Sequence, residues 1–311
     1  MDIGLLTVGL RDISLEEKIH WAGKWGFAGI EAACWPRINS RDYAASDIDV
    51  EKISSEYRNG LKKILEQENV RITSLAYYDN NLHPDMQTRK AINEHVYKCI
   101  DAAEKLNIPS VGTFIGKNPE VSVEENFRQF QEIFSPMAEY AEYRNVKLII
   151  ENCQMEGWQT PGIPGTISYS PELWDEMFKL VPNKNFGLNF DPSHLLIMGI
   201  DYIPLIYTYK DRIFHVHAKD AYLDRNKYQY YGCFNRQIGR RLENGYWEYR
   251  VPGRGQVDFK GVIQALKLIG YDGILSIEHE DRLYEGSLKL AQEGFLHAKT
   301  YLEDLLKEDC F

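Results

Sequence analysis

Four apolar segments in the second half of the chain each end in a residue that can bind a cation or move a proton. The segments cover residues 148–151, 187–191, 213–217 and 274–278, and they end in Glu151, Asp191, His217 and Glu278. Apolar residues on both faces are typical of a buried parallel strand. Because a charged group at the end of such a strand needs a partner, we expect the four side chains to converge on one divalent cation.

The residue types indicate which cation would fit. Three carboxylates and one imidazole suit Mn²⁺, Mg²⁺ or Co²⁺ better than they suit a structural zinc site of the thiolate type. A cation would also relieve the mutual repulsion of the carboxylates, which otherwise favours their protonation. Taken alone, each of the four residues would more often be a salt-bridge partner or a hydrogen-bonded polar group in the core than a metal ligand. Their joint placement on four successive strand ends favours the metal site.

A strand–helix pattern repeats eight times along the chain. The predicted strands span residues 3–9, 29–32, 70–77, 109–115, 147–151, 186–191, 213–217 and 274–278. Ser14 and Glu17 form a capping box at the start of the first helix. Eight units without a linker predict an α/β fold, a (β/α)₈ TIM barrel that forms a single domain over residues 1–311, with its active site at the C-terminal ends of the strands. A doubly wound sheet is the alternative, but residues 7–11 lack the glycine-rich phosphate turn that it would usually carry.

Two connections are longer than ordinary strand–helix loops. Residues 152–169 contain Trp158 and a cluster of prolines and glycines, and residues 218–257 carry eight aromatic side chains. Both follow strands with predicted ligands, so we expect both to lie over the active-site face, with Trp158 as a candidate substrate contact. A lid or aromatic substrate wall and an interface with another subunit both remain open interpretations.

Other side chains near the strand ends are candidates for binding a substrate. His194 lies three residues after the predicted aspartate ligand, and Lys219 lies two residues after the predicted histidine ligand. We expect His194 to donate a hydrogen bond to the substrate, and Lys219 to contact it from the same strand face as the histidine. Candidates for the pocket wall, each with a structural role as the alternative, are Trp35, Glu31, Tyr77 and Thr113.

Composition restricts the classes of partner. The formal net charge of −10 disfavours binding to nucleic acid or to an anionic membrane. The sequence shows no basic N-terminal signal and no apolar run of about 18 residues. Five scattered cysteines without CxxC spacing indicate reduced thiols. We therefore expect a cytoplasmic protein with a small-molecule substrate.

Several motifs resemble those of a known family. They are Asp-Pro-Ser-His at 191–194, His-Val-His-Ala-Lys-Asp at 215–220, the segment 249–259 with Pro252, Gly253 and Gly255, and Ser-Ile-Glu-His-Glu-Asp at 276–281. Over essentially the whole chain the sequence resembles the sugar phosphate isomerase/epimerase superfamily of xylose isomerase-like TIM barrels. This superfamily includes ketose 3-epimerases, inosose dehydratases and the barrel subunits of C-glycoside deglycosidases.

The resemblance implies a role for each predicted ligand. Glu151, Asp191, His217 and Glu278 would hold one divalent ion, usually Mn²⁺, and Glu151 and Glu278 would exchange a proton with the substrate. A ketone chelated by the ion is polarised, and a carboxylate can then remove the proton from the neighbouring carbon. The charge of the resulting enediolate is best stabilised at the metal. Return of the proton gives isomerisation or epimerisation, whereas loss of a β-substituent gives elimination.

The sequence also departs from the pattern of ketose 3-epimerases. At the position of their second glutamate this chain has Gly157, with Glu156 one residue earlier. At the position of their arginine it has Leu223. Arg225, two residues later, is the candidate substrate contact. Acidic residues in the segment 280–285 would repel a phosphate dianion. The alternatives are therefore an inosose dehydratase or a lyase that acts on a 3-keto-glycoside by elimination. In such a lyase the long aromatic connection would face a larger substrate, and the barrel could require a small partner subunit.

Two further classes are less compatible with the sequence. Endonuclease IV shares the barrel, but its three-metal cluster needs additional His and Asp ligands where this chain has Tyr77 and Thr113. A non-catalytic sugar-binding barrel would keep the fold while losing ligands, and all four are present. The resemblance implies a sugar or glycoside as the partner, and it leaves a homo-oligomer open.

Overall fold

In the computed structural model, the described residues are 1–37, 45–156, 163–239 and 245–308. Within these ranges, eight parallel strands close into a barrel, which confirms the predicted (β/α)₈ fold. The barrel strands are β1 Asp2–Leu6, β2 Gly29–Ala33, β3 Arg71–Asn80, β4 Ser110–Phe114, β5 Lys147–Glu151, β6 Phe186–Phe190, β7 Ile213–Ala218 and β10 Ile274–Ile277.

Helices surround the barrel and begin at recognisable sequence signals. At the first of them, the Ser14 hydroxyl accepts a hydrogen bond from the Glu17 amide at 3.2 Å, and the Glu17 carboxylate accepts one from the Ser14 amide at 2.7 Å, as predicted. None of the described helices combines the length and apolar character that crossing a membrane requires. The helices are α1 Leu15–Lys24, α2 Ser55–Glu68, α3 Met86–Leu106, α4 Val123–Tyr143, α5 Pro171–Leu180, α6 Pro192–Ile197, α7 Ile203–Thr208, α8 Arg225–Tyr231, α9 Phe259–Leu268 and α10 Leu288–Lys307.

The structure has one more helix after β6 than the sequence pattern predicts. The sequence pattern predicts a single helix near residues 201–210, but α6 begins directly after the strand and α7 is short. The Asp191 carboxylate accepts a hydrogen bond from the Ser193 amide at 2.7 Å, and Pro192 occupies the first helical position. An aspartate cap followed by proline is a strong helix start. The predicted metal ligand therefore also fixes the path of the chain.

The long connection after β7 contains regular structure. Strand β8, Asp220–Leu223, pairs antiparallel with β9, Trp247–Arg250, and α8 lies between them in sequence. Ala221 is opposite Tyr249 in this two-stranded sheet. The hairpin packs its apolar side chains against α6, where Ile197, Tyr246 and Trp247 form a small buried cluster. The aromatic residues of this connection are thus partly a structural core.

Candidate metal centre

The four predicted ligands meet at the C-terminal end of the barrel. Glu151 is the last residue of β5, Asp191 follows β6, His217 lies in β7 and Glu278 follows β10. Each side chain offers one donor atom, and these four atoms all lie within 4.8 Å of one another. All four residues are buried. Parallel strands that end on one rim explain this convergence.

His217 forms the closest contacts within this cluster. Its Nδ1 lies 2.8 Å from Glu151 Oε1 and 3.0 Å from Glu278 Oε2. Burial alone would lower the pKa of His217, but the negative charges of Glu31, Glu278 and Glu151 raise it well above its usual value. A buried imidazole between carboxylates therefore favours its cationic form when no metal is bound.

A second layer of polar residues lies beneath His217. His217 Nε2 is 2.8 Å from Glu31 Oε2, while Tyr78 donates a hydrogen bond to Glu31 Oε1 at 2.6 Å and Ser276 donates one to Oε2 at 3.1 Å. Burial would raise the pKa of Glu31, but His217, His215 and Tyr78 lower it to about 2. Glu31 is thus an ionised acceptor that orients the imidazole, leaving Nδ1 directed at the predicted ligands.

The carboxylates in the cluster differ in proton affinity. For Glu151, the effect of burial is outweighed by Lys219 and His217, which lower its pKa well below its usual value. For Asp191, burial dominates and raises the pKa despite Lys219 and His194. Lys219 Nζ is within reach of both, at 3.8 Å from Glu151 Oε1 and 3.3 Å from Asp191 Oδ2. The negative charges of this cluster therefore stabilise positively charged groups placed among them.

The donor set fits a divalent ion. Asp191 Oδ2, His194 Nε2 and Glu278 Oε2 are buried and lie within ion-pair distance of Lys219 or of one another, but none of them has a hydrogen bond of acceptable geometry to a described residue. Buried polar atoms that lack hydrogen bonds are costly, so a bound cation would stabilise them. Three carboxylates and one imidazole are ligands that hard and borderline divalent cations accept. The residues present thus fit the implied ion.

Comparison with known proteins identifies the family. A family model described as xylose isomerase-like TIM barrel matches residues 19–301. The chain belongs to the xylose isomerase-like TIM barrel family. This confirms the resemblance inferred from the motifs.

Sequence relatives of this xylose isomerase-like barrel include proteins without a known activity. MJ1311, an uncharacterised protein of Methanocaldococcus jannaschii, is 27% identical over 63% of this chain, and the match covers 59% of its own length, less than two thirds. YfiH of Bacillus subtilis, also uncharacterised, is 25% identical over 90% of this chain and 93% of that protein. An inosose dehydratase of Clostridium perfringens is 25% identical over 78% of this chain and 80% of the enzyme.

Solved structures share the fold at low sequence identity. The IOLI protein, described with a binding zinc atom, has a TM-score of 0.70 and 20% identity over 98% of both chains. D-Psicose 3-epimerase with D-tagatose from Clostridium cellulolyticum H10 has a TM-score of 0.70 and 17% identity over 98% of this chain and 99% of that one. The apo form of 3-keto-D-glucoside 4-epimerase from E. coli has a TM-score of 0.69 and 13% identity over 98% and 99%.

The other predicted site residues of this xylose isomerase-like barrel lie at different distances from the centre. His194 Nε2 is 3.4 Å from Asp191 Oδ2, so the histidine lies beside the predicted ligands. Trp35 lies farther out: it is buried with its ring centroid 6.2 Å from that of Tyr78, and its indole nitrogen has no hydrogen bond to any described residue. Arg225 begins α8 and lines a neighbouring cavity. Trp158 lies outside the described residues.

Sequence reasoning did not single out Tyr249 among the aromatic residues of its connection, and it left the role of Glu31 open. The Tyr249 hydroxyl lies 3.2 Å from His194 Nδ1, and Lys219 Nζ lies 4.7 Å from the centre of its ring. For Glu31 the sequence left a pocket wall and a structural role open, and its carboxylate lies beneath His217. The available signal for Tyr249 was its place in one of the family-like motifs. For Glu31, a carboxylate inside an otherwise apolar predicted strand was a signal of internal pairing.

An apolar cavity lies next to the metal centre. It has a volume of about 820 Å³ and is lined by Leu196 and Ile197 of α6, Trp247 of β9, Tyr228 of α8, and residues of the connections that follow β5 and β7. The Trp247 ring lies 4.9 Å from that of Tyr249, which contacts His194. Tyr249 and His194 thus lie between this wall of the cavity and the predicted ligand Asp191.

Proposed function

We propose that this chain is a divalent-metal-dependent sugar isomerase or epimerase that abstracts a proton next to the carbonyl of a keto-sugar. The observation that carries the proposal is the set of four donor atoms, from Glu151, Asp191, His217 and Glu278, within 4.8 Å of one another. These four residues would hold one ion, with Mn²⁺ favoured and Mg²⁺ or Co²⁺ as the alternatives. When bound, the ion would act as a Lewis acid toward the substrate carbonyl.

Two carboxylates are available to move the proton. Glu151 and Glu278 follow strands that β6 and β7 separate in the barrel, so they approach the centre from different sides. A carboxylate on each side can remove a proton from one face of a carbon atom and return one to the other face. We therefore assign Glu151 and Glu278 as the acid/base pair. The position of His194 beside the predicted ligands supports hydrogen bonding to a substrate hydroxyl group.

The proposal is tested by hydrogen exchange in deuterated water. The purified chain, loaded with Mn²⁺, is incubated with a free ketose, an inosose, methyl 3-keto-glucoside and phenyl 3-keto-glucoside, and NMR follows deuterium at the carbon next to the carbonyl. Replacing Glu278 with Gln should slow the exchange by roughly 10²–10⁴-fold, because a general base is lost. The same substitution of Glu285, an exposed residue in the following loop, should leave the rate unchanged.

Metal content of each variant is measured in parallel, since Glu278 is also assigned as a ligand. Wild-type exchange rates in Glu278→Gln with metal bound would contradict the acid/base assignment. Absence of exchange with every substrate in the metal-loaded wild type would contradict the enolising activity itself.

A second candidate, elimination from a 3-keto-glycoside, is favoured by the apolar cavity. Its volume of about 820 Å³ and its aromatic lining fit an aglycone, and entry of that aglycone from a glycoside bound at the metal centre would require Tyr249 to move aside. The same NMR experiment separates the two reactions. Release of phenol from phenyl 3-keto-glucoside identifies the lyase, whereas deuterium incorporation with the glycosidic bond intact identifies the epimerase. Formation of an unsaturated product from the inosose would instead indicate a dehydratase, the activity named in the Clostridium perfringens relative.

A further inference from the structure

Lys219 occupies an unusual position for a lysine. Its side chain is only 2% exposed, and its Nζ lies 2.8 Å from Glu278 Oε2, 3.3 Å from Asp191 Oδ2 and 3.8 Å from Glu151 Oε1. The ammonium also lies over the ring of Tyr249, at 4.7 Å from its centre. Burying a charge in this way is costly unless partners of opposite charge compensate for it. Lys219 thus contacts the three carboxylates of the proposed metal centre, and Glu280, two residues after Glu278, is a further acidic group that interacts with its charge.

The charges of this cluster indicate what the lysine does. Three ionised carboxylates carry three negative charges, and a divalent ion supplies only two positive ones. His217 cannot supply the third, because an imidazole must be neutral at the nitrogen that binds a metal. Among the described residues, Lys219 is the only lysine or arginine whose nitrogen lies within 4.0 Å of these carboxylates. Its ammonium is therefore the available third positive charge.

We infer that Lys219 is a built-in counter-cation of the metal centre, which balances the three carboxylates together with a divalent ion and limits how tightly the site binds metal. The inference rests on the proposed metal-binding role of these carboxylates. It goes beyond a contact between Lys219 and the substrate, because it predicts an effect in the absence of any sugar.

Two consequences follow from Coulomb's law. Without the ammonium, the metal-free protein would bury three carboxylates with less compensation, so it should be less stable. A bound cation would no longer be repelled by a neighbouring positive charge, so the affinity for metal should rise. Since this repulsion scales with the charge of the ion, the gain in affinity should be larger for a trivalent ion than for a divalent one.

The test compares Lys219→Met with Lys18→Met. Lys18 is a matched control, because it is also nearly fully buried and lies 2.8 Å from one carboxylate, that of Asp47, which is not one of the proposed ligands. Calorimetric titration measures the affinities for Mn²⁺ and Tb³⁺, and thermal unfolding with chelator measures the stability of the metal-free form. We expect Lys219→Met to bind Mn²⁺ about tenfold more tightly or better, with a larger gain for Tb³⁺. Both variants should unfold at lower temperature, but Lys18→Met should keep the wild-type affinities.

The possible failures are distinguishable. If the wild type binds no divalent ion, the metal centre of the proposed function is wrong. If the wild type binds Mn²⁺ and Lys219→Met binds it equally or less tightly, the counter-cation inference alone is wrong. Should Lys219→Met not fold without metal, Lys219→Gln, which keeps a polar group, is measured in its place. If saturating Mn²⁺ restores the folded state of either variant, the inference is supported. If neither variant folds with saturating Mn²⁺, the inference is contradicted.

Discussion

At the scale of single residues, His217 connects the site to the interior of the barrel. Its Nδ1 faces Glu151 and Glu278, and its Nε2 faces Glu31. A histidine that ligates a metal usually donates its other N–H to an acceptor, which fixes the tautomer and the ring orientation. The ionised Glu31 provides this acceptor from β2, which β1 and β10 separate from β7 in the barrel. Metal binding should therefore depend on a residue that does not contact the ion.

Replacing Glu31 with Gln tests this dependence. The amide keeps the size of the side chain but removes the charge that faces His217 Nε2, so we expect the affinity for Mn²⁺ to fall by about 10- to 100-fold. Titration calorimetry measures the affinity. Ser276→Ala is the control, because it removes one hydrogen bond to Glu31 while leaving its carboxylate in place. Equal Mn²⁺ affinities for wild type and Glu31→Gln would show that Glu31 has only a structural role.

At the scale of elements, the hairpin of β8 and β9 brings Tyr249 to the metal centre. The Asp220 carboxylate anchors it by accepting hydrogen bonds from the amides of Ala221, Gly253, Gly255 and Val257 at 2.8–3.1 Å. Gly253 has φ of +88°, and a Cβ at Gly255 would lie 2.3 Å from the Asp220 carboxylate. Both glycines are therefore required by the turn that wraps around this side chain.

Asp220→Ala should destabilise the protein more than the same substitution at Asp224. Loss of Asp220 leaves buried amides without an acceptor, so we expect the free energy of unfolding to fall by about 3 kcal/mol. Asp224 is the N-cap of α8, where it accepts hydrogen bonds from two amides at 3.0 Å, and its loss should cost about 1 kcal/mol. Urea denaturation measures both values. If Asp220→Ala costs no more than Asp224→Ala, the hairpin is held mainly by its apolar contacts with α6.

At the scale of the whole molecule, the barrel and the convergence of the four predicted ligands were accessible from the sequence. Apolar runs that end in a polar residue such as Glu151 or His217 predict buried parallel strands with polar side chains at their C-terminal ends. The prediction is possible because the same pattern repeats along the chain. The position of Lys219 was not accessible, since contact with three carboxylates depends on how β5, β6 and β10 are staggered. Nor was that of Tyr249, whose approach depends on the pairing of a hairpin. Local periodicity predicts elements, whereas these contacts arise from tertiary geometry.

The stability of the whole fold should respond to metal and to pH together. A ligand that binds only the folded state stabilises it, so Mn²⁺ should raise the melting temperature relative to chelator. In the metal-free protein, the pKa of His217 is raised, with burial opposed by Glu31, Glu278 and Glu151. The stability that its protonation contributes is present below the pKa of an unfolded histidine and is lost as pH rises through the higher folded pKa.

The increment in melting temperature caused by Mn²⁺ should therefore widen as pH rises above about 6.5, the pKa of an unperturbed histidine. Metal binding requires neutral imidazole nitrogen and ionised carboxylates, so it competes with protons at low pH and replaces the lost stabilisation at high pH. Thermal unfolding across neutral and alkaline pH, with Mn²⁺ or chelator, measures the increment. His217→Gln should strongly reduce the increment at every pH. His20 is an exposed histidine on the outside of the barrel, paired with Glu68 at 2.7 Å, so His20→Gln should preserve the increment. An increment in the wild type that stays constant or shrinks with rising pH would contradict a metal bound through His217, because such a ligand must lose its proton to bind.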